Sequence, residues 1–458
     1  MYLFRRCTVG GVIKLLLQRY PRAYTRGYLL LTLQNLTKRS YILRALLVQM
    51  GDYGRGGGSI AMYRLHRGLR AAGVDSKILC KYKKLESSES VTIPHSFLSA
   101  RLEPRLGQLT SLFGFNDIHC LSTFKIQGLR AYREADLLDF HGIHSGFFNY
   151  LALPSLTAHK PAVFTLHDMW PLTGHCMYSY DCERWKIGCG QCPYPDSYPP
   201  VRRDNTRLEW KLKRWVYKRS HITITTPSAW LAALAKHSML GDLPIHHIPM
   251  GVDTDVYQPL DRGHCRSLLG IPVDKRVLLF AAMRMNVSSF EGFRKGGDLL
   301  IKALQGLPEA LKAETVLLLF GEGGEAIAEA AGIQAINLGY VSSDRLKAIA
   351  YCAADLFVLP TRADILGIVF LESMACGTPL VSFRVGGVSE VVRPGITGYL
   401  AEPEDAHDLC NGIVQLLEDE ALRQAMSQQC RAIALQEYPL ELYVQRYMAL
   451  YRQVLAQA

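Results

Sequence analysis

The chain of 458 residues contains no uninterrupted apolar run of the roughly 18–20 residues that a helical membrane span requires, so no such span is expected. It has no short internal repeat and no low-complexity tract, which argues against a repeat array or a long disordered linker. Acidic residues are missing from residues 1–51, where nine Lys or Arg stand without a counter-charge. Of the net charge of +11 only +2 is left for the rest of the chain, and a nucleic-acid partner is not implied. A cleavable secretory signal is not expected either, since GVIKLLL is short and is broken by Lys14. Residues 1–40 form a basic N-terminal extension with three open readings: translated sequence ahead of the true start with no selected structure, contact with a membrane surface, or an organelle transit peptide.

What is present fits two globular domains, each large enough to bury a core. Apolar residues make up 49% of the chain and charged residues 20%. From about Tyr41 onward short apolar or β-branched runs alternate with helical patterns, which favours α/β with parallel sheets. ALLVQM, SKILC, LLDF, AVFTLH and HITITTP are the strand candidates of the first half. RVLLFAA, TVLLLFG, QAINLG, DLFVLP and TPLVSF repeat the arrangement in the second. PIHHIPMGVDTDVYQPLD, with three prolines and no helical period, is the expected inter-domain connection. The boundaries are set at 41–245, 246–436 and a terminal helical segment, 437–458. Eight of the twelve cysteines are scattered singly, as expected of thiols used as small hydrophobes in a reducing cytosol.

The most informative segment is PTRADILGIVFLESMACGTP, from Pro360 to Pro379. A strand runs through a turn into a helix opening around Gly367, where the backbone N–H groups of Gly367, Ile368 and Val369 are free to bind an anion. Two carboxylates, Asp364 and Glu372, flank that helix start; acids suit sugar hydroxyls and amides suit a diphosphate. The segment resembles the E-x7-E signature of the retaining glycosyltransferases of family four. Glu372, Met374, Ala375, Gly377 and Pro379 match in register, Leu366 stands for Phe, and Asp364 replaces the first Glu. The resemblance implies the GT-B fold, two Rossmann-like α/β domains facing a central cleft, with the last helix, Leu440 to Ala456, crossing back to the first domain.

Other motifs fall in the order this family has them. GDYGRGGGSIAMYRLHRGL is a poor dinucleotide signature, since the final Gly is missing and no acid ends SKILC. It resembles instead the family's glycine turn, with Gly57 and Gly58 toward the donor diphosphate. FRKGGDLLIKAL resembles the R…KG segment, which implies Lys295 and either Arg284 or Arg294 on the leaving diphosphate, where negative charge develops. His167 in TLHDMW implies a contact to the donor sugar, while Asp168 alone reads as a structural hydrogen-bond partner. His141 and His144 are candidates for the same cleft. Asp253-Thr254-Asp255 matches the hinge segment, with Met250 in place of Asn, so it is read as hinge and no catalytic metal is required.

Cys176, Cys182, Cys189 and Cys192 cluster within 17 residues, one pair as Cys-x-x-Cys with Gly188 and Gly190 beside it. A structural zinc site, free thiols, and disulfides or an iron–sulfur cluster are all open. The loop resembles that of exopolysaccharide glycosyltransferases of the colanic-acid type. In RLEWKLKRWVYKR, Arg207, Lys211, Arg214 and Lys218 form one stripe beside Leu208, Leu212, Trp215 and Val216. That helix suits either an anionic bilayer or docking on the first domain through the same apolar face.

The expectation is a cytoplasmic retaining glycosyltransferase, peripheral at the inner face of the cytoplasmic membrane if that helix is interfacial. It would move sugar from a nucleoside diphosphate sugar to a glycan or lipid-linked glycan acceptor. Glu372 would hold the ribose and Asp364 the sugar hydroxyls. The rivals are a sugar-nucleotide epimerase or phosphorylase of the same fold, an idle binding subunit, and, remotely, a redox module built on the cysteines.

Overall fold

Strands of nearly unbroken aliphatic residues must be covered on both faces, and both halves of the chain build parallel sheets of this kind. The computed structural model describes residues 42–457, apart from positions 54, 55, 86, 95, 96 and 287 and the side chains of 97 and 98. The basic extension at 1–40 lies outside the described residues. The first sheet contains β1 (Arg44–Val48), β2 (Asp75–Cys80), β3 (Ser90–Thr92), β4 (Leu137–His141), β5 (Ala162–Thr165), β6 (Ile222–Thr226) and β7 (Ile245–His247). Their order is β3-β2-β1-β4-β5-β6-β7, and all pairs are parallel. The second sheet contains β8 (Arg276–Arg284), β9 (Thr315–Glu322), β10 (Gln334–Asn337), β11 (Leu356–Leu359), β12 (Leu380–Phe383) and β13 (Gly398–Ala401). Their order is β10-β9-β8-β11-β12-β13, again parallel throughout.

The strand order reverses between β1 and β4 in one sheet and between β8 and β11 in the other. Open α/β sheets bind ligands beyond the carboxyl ends of the strands at such switch points. Five helices frame that region: α1 (Gly57–Ala71), α2 (Thr206–Tyr217), α3 (Phe290–Lys295), α4 (Ile368–Ala375) and α5 (Leu440–Ala456). Residues from Arg44 onward form one unit, in which α5 lies against the first sheet. Gly68 of α1 meets Val444, the Tyr447 hydroxyl lies 3.0 Å from Thr165 Oγ1 and 3.1 Å from Thr225 Oγ1, and Tyr451 donates to Asp139 at 2.6 Å.

The connection differs from the sequence reading at its start. Ile245–His247 pairs with β6 and closes the first sheet, so the boundary set at 245/246 falls inside β7. Hydrogen bonding to Ile224–Thr226 outweighs the prolines on either side. Farther on, Val252 accepts from Leu440 N at 3.0 Å and donates to Tyr438 O at 2.9 Å, so the two chain crossings run side by side. Gly251 is required there, because a Cβ would come within 2.7 Å of Tyr443 Cβ. Among the described residues no helix is long and apolar enough to cross a membrane.

Candidate active site

The second domain gathers charge around Asp364. Helix α3 starts at Ser289, whose hydroxyl accepts from Gly292 N at 3.0 Å, and ends on Gly296, a left-handed residue at φ 73°. This short helix places Arg294 and Lys295 on the turn after β11. Lys295 Nζ donates to Asp364 Oδ2 at 2.6 Å, and an Arg294 guanidinium nitrogen lies 3.6 Å from the same oxygen. Arg294 also donates to Ala363 O at 2.8 Å and lies 4.9 Å from the Tyr178 ring centroid, a side chain from the first domain. Burial alone would raise the Asp364 carboxyl, but Lys295 and Arg294 outweigh it and hold the group below its ordinary value. Burial lowers the Lys295 ammonium, with Asp364 opposing. Arg284 goes elsewhere: beyond a register shift near the end of β8 its exposed side chain lies 4.0 Å from Glu322. Of the two arginine candidates, Arg294 is therefore the one that shares Asp364 with Lys295.

Helix α4 begins next to this cluster, and its leading residues Gly367, Ile368 and Val369 present N–H groups with no acceptor one turn back. Gly367 itself has φ 79°, a conformation that favours glycine. Facing it from the first domain is the start of α1. A Cβ on Gly57 would stand 3.7 Å from Ile368 Cγ2, and one on Gly58 would press into the His167 ring at 2.9 Å. The two helix starts thus approach each other across the cleft, and both macrodipoles favour an anion there.

His167 follows β5 and its Nε2 lies 2.9 Å from His141 Nδ1, the rings stacked at 5.2 Å. Burial and the neighbouring His141 push His167 down to about 3, so it is a neutral hydrogen-bonding group at physiological pH. His141 in turn lies 3.3 Å from Asp139. Asp168 turns away: its carboxylate takes His144 Nε2 at 2.9 Å and Trp170 N at 2.8 Å. Burial disfavours charge on both members of the His144–Asp168 pair, but their attraction wins, raising the imidazole and lowering the carboxyl.

Glu372 is 2% exposed and does not stand alone in the cleft. Arg64, seven residues after Gly57 and so on the same face of α1, reaches its Oε1 at 2.7 Å, and Tyr351 donates to Oε2 at 3.3 Å. Arg64 also contacts Tyr257 at 3.3 Å and Asp344 at 3.7 Å. The sequence reading missed Arg64, Tyr178, Tyr257 and Asp344. For Arg64 the signal was available in its spacing from the glycine turn; Tyr178 carries none.

Helix α2 docks through a different face from the one the docking alternative named. Its buried face consists of Thr206, Glu209, Trp210, Lys213, Val216 and Tyr217. Leu208 and Trp215, which the docking alternative would bury, are 46% and 49% exposed. Lys213 is fully buried, donates to Trp170 O at 3.0 Å and Thr173 O at 3.2 Å, and stacks 3.4 Å from the Trp170 ring. Those carbonyls and the ring satisfy the ammonium, so the cation faces inward although its neighbours at 211 and 214 face out. Cys176, Cys182, Cys189 and Cys192 are brought together around one pocket beside α2.

Two family models match the chain: Glycosyltransferase Family 4 over residues 55–256 and Glycosyl transferases group 1 over residues 286–432. Among curated proteins it is similar to the D-inositol 3-phosphate glycosyltransferase 1 of Catenulispora acidiphila, 34% identical over 225 residues, which is 45% of this chain and 51% of that protein. The N-acetyl-alpha-D-glucosaminyl L-malate synthase of Bacillus anthracis is 28% identical over 208 residues, 44% of this chain and 52% of that one. The chain spans about half the length of the curated relatives it matches. A sucrose-phosphate synthase from Thermosynechococcus elongatus superposes with a TM-score of 0.64 at 20% identity, covering 91% of this chain and 100% of that one. HepE of Anabaena, solved with UDP and glucose, gives 0.61 at 18% identity over 90% of this chain and 99% of that one. These likenesses establish the two-domain GT-B fold.

Proposed function

The chain belongs to the group 1 glycosyl transferases of family 4, and from that premise we propose that it is a retaining glycosyltransferase using a nucleoside diphosphate sugar. The observation that carries the reading is the cluster of Lys295 and Arg294 on Asp364, set beside two opposed helix starts. The diphosphate lies between the starts of α1 and α4, near Gly57, Gly58 and Gly367 to Val369. The bond from the anomeric carbon to the diphosphate oxygen breaks, and its electron pair leaves with the diphosphate. The acceptor oxygen bonds to that carbon on the same face, and its proton passes to the departing diphosphate. Lys295 and Arg294 supply fixed positive charge where the negative charge grows. Asp364, ionised and held by two cations, accepts hydrogen bonds from sugar hydroxyls and is no general base. Neutral His167 hydrogen-bonds the sugar from the other side, and Glu372 takes the ribose once Arg64 gives way.

For the acceptor we propose a glycan or lipid-linked glycan of surface polysaccharide assembly, met at the inner face of the cytoplasmic membrane. The support is a groove of about 610 Å³ where Arg207, Lys211, Arg214 and Lys218 stand beside Trp215 and the 88% exposed Ile187. Cations around exposed apolar side chains suit an anionic bilayer surface, at about 1 kcal/mol per cation. Vesicles containing phosphatidylserine should sediment with the protein and neutral vesicles should not. Arg207→Glu with Lys211→Glu should lose at least tenfold in vesicle affinity; unchanged binding would remove the membrane from the reading.

The reaction itself is tested by incubating a panel of labelled nucleoside diphosphate sugars with acceptors and weighing the products. Transfer with retained anomeric configuration supports the reading. Isomerisation of the donor means an epimerase, phosphate-dependent cleavage a phosphorylase, and binding without turnover an idle subunit.

A further inference from the structure

The chain from Thr173 to Asn205 contains one piece of regular structure, the single 3₁₀ turn Arg184–Lys186. Irregular stretches of that length inside a compact domain are uncommon, and here the stretch makes specific contacts across the cleft. Tyr178 lies beneath the Arg294 guanidinium at 4.9 Å, and the Tyr198 ring lies 6.0 Å from Phe290 on α3. Part of its shape comes from hydrogen bonds, Met177 N to Tyr198 O at 3.0 Å and Trp210 Nε1 to Trp185 O at 2.8 Å.

At its centre Cys176, Cys182, Cys189 and Cys192 line one pocket with His175, and the free space, about 20 Å³, suits one water-sized sphere. The backbone is bent to achieve this. Gly188, Cys189, Gly190 and Gln191 have φ of 124°, 52°, 84° and 49° in succession, which aims both cysteines of the Cys-x-x-Cys pair inward. Two of those residues are not glycine, so the conformation persists only where surrounding interactions enforce it. Gly174 N donates to Cys189 Sγ at 3.2 Å, a bond that suits a thiolate better than a thiol. His175 Nδ1 donates to Pro199 O at 2.9 Å, which leaves Nε2 to accept from the Cys192 thiol at 3.2 Å, a contact that must give way when Cys192 loses its proton. Among the described residues no three such donors already stand in ligating geometry, so metal binding requires the thiols to move closer together.

We propose that this pocket binds one zinc ion through the thiolates of Cys176, Cys182, Cys189 and Cys192, and that the ion fixes the loop presenting Tyr178 to Arg294. Four thiol protons pass to solvent on binding and no electron is transferred. The site then carries a net charge of −2, and the buried ammonium of Lys213, on the neighbouring helix, lies within electrostatic reach of Cys189 and Cys176. Because the sulfurs are all consumed as ligands, the ion is structural.

The test uses the full chain, purified under reducing conditions, stripped with a chelator and titrated with Co²⁺ and then Zn²⁺. About one equivalent of Co²⁺ should bind, with near-ultraviolet sulfur-to-cobalt charge-transfer bands and the intense visible bands of a tetrahedral site, and one Zn²⁺ should displace it. Cys182→Ser and Cys192→Ser should each lower the charge-transfer intensity and weaken Zn²⁺ by at least about tenfold. Cys352→Ser, in the second domain, should change neither. Absence of the bands, or bands indifferent to both loop variants, overturns the site. Zinc should also slow limited proteolysis between Tyr178 and Arg203; equal cleavage with and without zinc in a cobalt-positive protein overturns the loop-fixing role. None of these readouts uses turnover, so they stand or fall separately from the transferase reading.

Discussion

The two halves of the cleft are built on opposite principles. The second domain buries aliphatic strands such as TVLLLFGE and confines its charge near the cleft to the cluster around Asp364 and the residues that hold Glu372. The first buries Asp117, Asp139, His141, His144, Asp168, Glu209 and Lys213. Among the described residues, every buried side-chain nitrogen or oxygen without a well-aligned protein partner belongs to the first domain or to Tyr443 on the helix that docks on it. Glu209, both of whose oxygens fall in that set, shows the consequence: burial pushes its carboxyl up to about 8. Unpartnered buried polar groups cost on the order of 1–3 kcal/mol each. On the proposed function the second half is the anionic-ligand cradle, built from a few paired charges, whereas the first buries polar groups with fewer aligned protein partners.

If that division is right, the largest effect comes from the cradle. Lys295→Ala should lower turnover by roughly two to three orders of magnitude, measured as kcat with saturating donor, as one preorganised electrostatic contact is removed. Unchanged kcat would place Lys295 outside the reaction. Gly58→Ala forces a methyl group into the His167 ring and should cost about tenfold to a hundredfold in kcat/KM. A smaller loss would mean that the first domain yields at this point and is softer than the contact implies.

A third experiment addresses the stored polarity through pH. The unfolded chain releases the Glu209 proton near 4.5, while the folded chain keeps it up to about 8. Between those values the folded state binds more protons, so stability from this group is present at low pH and is lost as pH rises. Glu209→Gln should flatten the pH dependence of the urea midpoint across that window by as much as one proton. An unaltered slope would break the comparison. The mildest change is Asp364→Glu, one methylene longer against Lys295. It should shift preference between donor sugars several-fold while nucleoside diphosphate affinity, measured by calorimetry, stays nearly the same.

The fold was legible because strand runs and glycine turns are local signals, and the ten strand candidates all appear in the two sheets. β3, β7 and β13, of three or four residues each, were missed because pairing with a neighbour, not their own pattern, makes them strands. In the candidate site, Asp364, Lys295 and the start of α4 could be read from contiguous motifs. The place of Arg64 on the face of α1 could be read from its spacing, but its pairing with Glu372, like that of Tyr178 with Arg294, could not, because each pair joins residues more than a hundred positions apart across the cleft. The inward turn of Lys213 also escaped a reading based on helical stripes, since carbonyls of the Trp170–Thr173 turn decide it.

Helix α5 has a consequence for how the protein is made. Its Tyr447 completes a hydrogen-bonded group with Thr225, 222 residues earlier, and its Tyr451 partners the buried Asp139. At the ~5–20 residues per second of translation, roughly 10–45 seconds separate β6 from the helix that covers it. During that interval the second domain can fold as it emerges, while the first waits without the Tyr451 hydrogen bond to Asp139. A chain that begins with one domain can therefore finish the other one first, because the first still lacks the helix that closes it.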